Sequence, residues 1–225
     1  MPVQLCDMAP SVFSRIFGGS ANQGLDGEVV SGEKVLRRST GFGEFLKWIA
    51  REEGLSVLDL GCTSPANITF FIGLGHRFHQ EDLLRLSADK SLIVPIGQGE
   101  TKYDVDRFLD ENLRFERQEF EAVMFWDLAD YLPEPLVKPV IERIHVGMKP
   151  GAILFSFFHT KDAGPQAPFY RYNIASKDTL EMQPASPYRL QRVFNNRHVE
   201  NLFHDFNSIK FFLGRDNIRE VLVVR

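Results

Sequence analysis

The sequence predicts an α/β protein with a mostly parallel sheet closed by an antiparallel C-terminal hairpin, and three observations carry that expectation. Near-continuous apolar runs, LSVLDLG (55–61), FEAVMFWD (120–127) and AILFSFF (152–158), have the texture of strands buried on both faces. Segments of helical period lie between them, such as EPLVKPVIERIHVGM (134–148), with Val137, Val140, Ile141 and Ile144 on one face. The chain closes with IKFFLG (209–214) and REVLVVR (219–225) around an Arg215-Asp216-Asn217 turn, which reads as a hairpin at the sheet's edge. Strands alternating with helices mean a parallel sheet covered on both sides.

Taken in order, residues 1–32 mix Gly, Ser, Asn and Asp with little periodicity and read as a loosely ordered lead-in, a candidate flap. Residues 33–225 form the domain proper. From Glu33 to Glu53 the spacing of Phe42, Phe45, Leu46 and Ile49 predicts a helix, stopped at Gly54. The first sheet strand is 55–61, followed by a helix over 67–75 and a second strand over 76–83 that ends at Glu81 and Asp82. Residues 84–105 suggest a helix and a loop around GQGE, and Phe108–Phe115 a third strand. Strand four is 120–127. The helix 134–148 carries Pro139 near its first turns, where it is least harmful. KPG (149–151) is a turn into strand five, and a helix resumes over 190–205. Residues 159–189, rich in Pro, Ser, Tyr and Asn, are an insertion that covers the substrate side as a lid.

Composition narrows the function classes. The 225 residues carry 26 Lys+Arg against 30 Asp+Glu, a net charge of −4. That balance argues against a nucleic-acid or anionic-membrane footprint, both of which reward clustered positive charge. No apolar run approaches a membrane span, and the N-terminus lacks a secretory pattern. Cys6 and Cys62 cannot build a disulfide scaffold. A cytoplasmic protein is expected. Phenylalanine dominates the aromatics, 20 against five Tyr and two Trp, which suits a core or apolar pocket that asks for no hydrogen-bond partner.

The segment VLDLGCTSPAN (57–67) carries the chemistry. In an open α/β sheet, ligands bind beyond the carboxyl ends of the strands. Asp59 ends a strand there, Gly61 lets backbone approach a ligand, and Thr63, Ser64 and Asn67 offer polar groups at a helix start. Asp59 and Ser64 read equally well as helix caps.

VLDLG before a helix, two acids ending strand two, FEAVMFWDLADYL and the turn MKPGA together resemble the class I S-adenosylmethionine-dependent methyltransferases. The resemblance covers about residues 35–225 and implies a Rossmann-like methyltransferase fold. It implies that Asp59, Gly61, Cys62, Thr63, Ser64 and Asn67 surround the methionine end of S-adenosylmethionine. Glu81 or Asp82 would take the ribose hydroxyls, and Phe125, Trp126 and Asp127 would flank the cofactor. Against this, Glu81 and Asp82 also read as a solvated strand end or cap, Trp126 as core and Cys62 as packing. Where the family has Gly-x-Gly-x-Gly, this chain has Gly61-Cys62-Thr63-Ser64-Pro65. Thr63 would be strained at positive φ, whereas Pro65 suits the first position of a helix.

The six histidines show no zinc spacing, so no metal is expected. His159 stands just past strand five. It reads as an exposed loop histidine or as the group that takes a proton from an acceptor. The reading is a methyltransferase with a small-molecule acceptor. Its alternatives are an inactive methyltransferase-like binding or regulatory module and a protein-modifying methyltransferase. The 159–188 insertion, with Tyr170 and Tyr172, is expected to govern the acceptor and to leave the cofactor side alone.

Overall fold

A computed structural model describes residues 32–164, 167–185, 188–214 and 216–225. The lead-in 1–31 lies outside the described residues. Strand β1 (Val35–Arg38) is followed by helix α1 (Thr40–Ile49), whose first turn is capped by Ser39. The expectation of a helix from residue 33 is thereby corrected. Val35–Arg38 pairs antiparallel with Thr179–Met182, a partner about 140 residues distant that no local pattern reveals.

Strand β2 (Ser56–Asp59) leads into α2 (Pro65–Gly73), then β3 (Arg77–Gln80) and α3 (Leu83–Ser87). A small hairpin of β4 (Ile93–Gly97) and β5 (Glu100–Tyr103) follows, its turn made by Gly97, Gln98 and Gly99, all at positive φ. Helix α4 (Val105–Asn112) replaces the strand expected over 108–115. Asp104 caps it by accepting from Arg107 N, and burial of the neighbours Phe108 and Leu109 suits a helix face. Strand β6 (Phe120–Trp126), the short α5 (Leu128–Tyr131), α6 (Glu134–Gly147) and β7 (Met148–His159) continue the alternation. KPG is not a separate turn: β7 already runs from Met148, with Gly151 at φ 79°.

Within the insertion, β8 (Phe169–Ser176) and β9 (Thr179–Ala185) form a hairpin. Helix α7 (Asn196–Leu202) starts later than the expected 190, at the Asn195 cap. Strands β10 (Ser208–Leu213) and β11 (Ile218–Val224) end the chain.

The main sheet has the order β10-β11-β7-β6-β2-β3. Strands β3, β2, β6 and β7 are parallel; β11 runs antiparallel to β7, and β10 to β11. The order reverses between β2 and β6, because β3 lies on one side of β2 and the later strands on the other. A second, antiparallel sheet, β1-β9-β8, shares no ladder with the first.

Both faces of the main sheet are covered, as parallel strands require. Phe42, Phe45 and Ile49 of α1 pack with Val57, Met124 and Phe155 on one face. On the other, Leu58, Val123, Phe125 and Leu154 pack with Leu136, Val140 and Ile144 of α6. Each such side chain contributes about 1.5–3 kcal/mol of burial. Among the described residues, no helix is long and apolar enough to cross a membrane.

Candidate functional site

The carboxyl ends of β2 and β6 flank the point where strand order reverses, the place where open α/β sheets take their ligands. Asp59 ends β2 there and is fully buried. Its carboxylate accepts from Gly61 N at 2.9 Å, from Trp126 Nε1 at 2.6 Å and from Asn67 Nδ2 at 3.1 Å. Burial pushes the carboxyl up to about 6, against the pull of those three donors. The resemblance implies a carboxylate open to a ligand's cationic group; here the chain's own donors engage it.

The loop after Asp59 is free of backbone strain. No residue from Gly61 to Pro65 has a positive φ, so no glycine is needed there for unusual dihedrals. Gly61 is needed for room instead: a Cβ on it would run into the Trp126 indole. Ser64 is the cap of α2, accepting from Asn67 N at 3.2 Å, and Pro65 takes the first helical position. Thr63 is exposed. Cys62 is half-buried, and burial pushes its thiol up to about 12, so it is no nucleophile at neutral pH.

Trp126 closes the cleft. A bulge shifts the β6–β7 register between Met124 and Trp126, and Ser156 Oγ donates to the Trp126 carbonyl at 2.7 Å. The residue is held at φ 49°, a left-handed conformation costly for a bulky side chain. Its indole stacks on Tyr172 of β8, with centroids 5.1 Å apart and planes 3° from parallel. Tyr172 in turn donates its hydroxyl to Asp127 at 2.8 Å. Phe125, on the opposite face of β6, packs in the core and takes no part in this cleft.

The β8 strand is sewn onto the loop by polar contacts. Ser64 Oγ donates to Asn173 Oδ1 at 2.7 Å, Asn67 Nδ2 to the Tyr172 carbonyl at 3.1 Å, and Ile174 N to Asn67 Oδ1 at 2.8 Å. The insertion therefore crosses the Asp59–Asn67 rim, where Tyr172 lies against Asn67 and Trp126. Tyr170 lines a cavity of about 610 Å3 beyond β7.

Of the two acids ending β3, Asp82 caps α3 by accepting from Arg85 N at 3.1 Å. Glu81 is exposed, and among the described residues its carboxylate has no hydrogen-bond partner. Gln80, between Asp59 and this pair, pins the loop through a 2.8 Å bond to the Gly61 carbonyl.

His159 is the last residue of β7 and only 3% exposed, so it is not an exposed loop histidine. Asp130 Oδ2 accepts from its backbone N at 2.7 Å and pairs with its Nδ1 at 2.9 Å. Burial alone would lower the imidazole pKa, but Asp130 and Asp127 outweigh it and hold it above the ordinary histidine value. Burial pushes Asp127 up to about 6 and also raises Asp130. His159 lines the 610 Å3 cavity with Tyr170, Met182, Phe212, Arg37 and Glu220. Arg37, itself buried, pairs with Glu220 and Asp216. Sequence reasoning missed Asp130, Arg37 and Glu220. The i+3 spacing of Asp127 and Asp130 on a short helix was the one local sign of the first.

A parallel sheet whose order reverses at β2/β6 and ends in the antiparallel pair β11–β10 is the arrangement the sequence resemblance implied. The fold is Rossmann-like. No protein-family profile matches the chain, and no curated protein matches its sequence. Similar solved structures include a Burkholderia thailandensis 1,6-didemethyltoxoflavin-N1-methyltransferase with bound 1,6-didemethyltoxoflavin and S-adenosylhomocysteine. It is 11% identical over 82% of this chain and 76% of that one, with a TM-score of 0.46. An S-adenosylmethionine-dependent methyltransferase from Archaeoglobus fulgidus is 9% identical over 82% and 92% of the two chains, TM-score 0.48. One from Aquifex aeolicus is 13% identical over 81% and 88%, TM-score 0.46.

S-adenosylmethionine, the cofactor the resemblance implies, would lie along the Asp59–Asn67 rim. The space left between Gly61, Cys62, Trp126, Asp127 and Tyr172 is about 10 Å3, room for one water at most. Ligand pockets of that class need roughly 300–1,000 Å3. As arranged, these residues do not accommodate the group: two aromatic rings hold its place and the chain's own donors engage Asp59.

Proposed function

We propose that the protein is an S-adenosylmethionine-dependent methyltransferase acting on a small-molecule acceptor, with its cofactor cleft shut in this arrangement. The observation that carries this reading is the pairing of two devices on one sheet rim. A carboxylate, a glycine loop and a free acid (Asp59, Gly61, Glu81) surround the point of strand reversal. Two strands away, an aspartate-held histidine opens onto a cavity of about 610 Å3. S-adenosylmethionine, when bound, supplies an electrophilic methyl group.

The chain's own share is to position and to move a proton. Asp130 fixes the His159 ring through Nδ1, which leaves Nε2 for an acceptor O–H or N–H. The apolar lining from Met182 and Phe212 suits a flat or apolar acceptor body. Because Asp130 holds the imidazole pKa up, His159 serves as a base only as pH rises through that raised value.

A second reading, an inactive methyltransferase-like binding or regulatory module, is favoured by one observation: Trp126 and Tyr172 fill the cleft. Equilibrium dialysis of methyl-labelled S-adenosylmethionine against the full chain separates the two. Saturable retention supports the enzyme; none at millimolar ligand supports the module.

A further inference from the structure

Four observations converge on the stacked pair at the strand reversal. The rings of Trp126 and Tyr172 occupy the position where this topology takes ligands, leaving about 10 Å3. The Trp126 Nε1–H sits on Asp59, so an indole proton takes the acceptor that a cationic ligand group would use. Trp126 reaches that point only in a strained left-handed conformation, and strain of this kind concentrates at functional clamps and switches.

The fourth observation concerns how β8 is attached. The β1-β9-β8 sheet shares no ladder with the main sheet, so its displacement breaks no strand pairing. Besides the packing of Tyr172, Ile174, Leu180 and Met182 on the apolar face of that sheet and a Ser39 N to Asp178 O bond, its polar ties fall into two groups. Arg37 to Glu220 and Asp216 holds the β1 edge. Ser64 to Asn173, Asn67 to Tyr172 and Ile174, and Tyr172 to Asp127 hold the β8 edge. The second group is a polar latch over the loop.

We propose that Trp126 and Tyr172 form an intramolecular plug, held by the β8 latch, that occupies the cofactor cleft and must separate before a ligand binds there. This rests on the methyltransferase reading above and adds a closed state to it. Opening exchanges one set of partners for another. Asp59 releases the indole N–H to receive a ligand cation, and Asp127 loses the Tyr172 hydroxyl to water. The backbone at Trp126 is freed to relax.

A closed resting state lowers apparent affinity by the fraction of molecules that are open. The test uses S-adenosylhomocysteine and three full-length proteins: wild type, Tyr172→Phe, which loses only the hydroxyl on Asp127, and Tyr172→Ala, which removes the stacking ring. Circular dichroism establishes that each is folded. The expected result is binding that tightens in the order wild type, Phe, Ala, by about ten-fold or more for Ala. In a Trp48→Phe background, where Trp126 is the sole tryptophan, ligand should shift its emission to longer wavelength as the ring leaves Tyr172.

Equal affinity in all three proteins, with Trp126 emission unmoved by bound ligand, would overturn the plug and leave the methyltransferase reading standing. No binding by any folded variant, Tyr172→Ala included, would overturn both.

Discussion

The indole N–H of Trp126 donates to Asp59 at 2.6 Å, across the two strands between which the sheet order reverses. That bond joins what the sequence presents as two separate motifs, and it turns a presumed ligand-binding acid into the centre of a buried network.

Stability should fall with rising pH through the mildly acidic range. Asp59 and Asp127 are fully buried, and burial raises each from the ordinary 3.8 to about 6. The folded state therefore holds protons that the unfolded state has released. The stabilisation is complete below the unfolded pKa and is lost as pH climbs through the folded one, by about 3 kcal/mol per group at most. Urea titrations from about pH 4 to about pH 7 should record that decline. Asp59→Asn should flatten it by removing one titrating group. A wild-type curve that is flat or rises over that window would contradict the burial of these two carboxyls.

Gly61→Ala should destabilise the fold by about 1–3 kcal/mol, because the added methyl meets the Trp126 ring. Gly61 has no positive φ, so the cost is steric rather than conformational. A double-mutant cycle with Trp126→Leu checks the cause: most of the penalty should vanish once the indole is gone. An undiminished penalty would place the strain elsewhere.

Legibility from sequence varies along this chain. The strands β2, β6 and β7 were legible because their apolar runs are longer than any turn and bounded by Asp or Gly. The closing hairpin was legible from its short polar turn. Strand β1 was not, since Leu36 is exposed and only a partner far along the chain makes Val35–Arg38 extended. Helix α4 was lost because Phe108 and Phe115 also suit a strand. At the site, Asp59, Asn67, Trp126 and Asp127 were all legible and lie together around the cleft, while Phe125 falls on the far face of the same strand. The place of Tyr172 was hidden for a physical reason. Its ring reaches the rim through a hairpin that folds back over the glycine loop, and nothing local fixes that return.

Asp130 should govern the histidine. The Asp130 carboxylate pairs with Nδ1 of His159, and together with Asp127 it outweighs the lowering effect of burial. In Asp130→Asn that support is removed, so the His159 pKa should drop, followed by the pH dependence of its imidazole resonances. An unchanged titration would mean that Asp127 alone sets the value and that Asp130 is not the positioning residue.

Cys62 should react slowly. Burial pushes its thiol up to about 12, so little thiolate exists at mildly alkaline pH. Modification by an aromatic disulfide reagent in a Cys6→Ser protein should be far slower in the native state than in denaturant. Equal rates would show the loop to be open.

The central claim, that the rim around Asp59 is a cofactor site closed by the chain's own rings, is tested most directly by titrating S-adenosylhomocysteine into the wild-type protein by calorimetry. A weak but saturable heat is expected, together with a melting temperature that climbs with ligand concentration, since ligand bound only to the folded state must stabilise it. No heat and no shift at millimolar ligand would contradict that claim and identify the chain as a methyltransferase fold that no longer binds the cofactor.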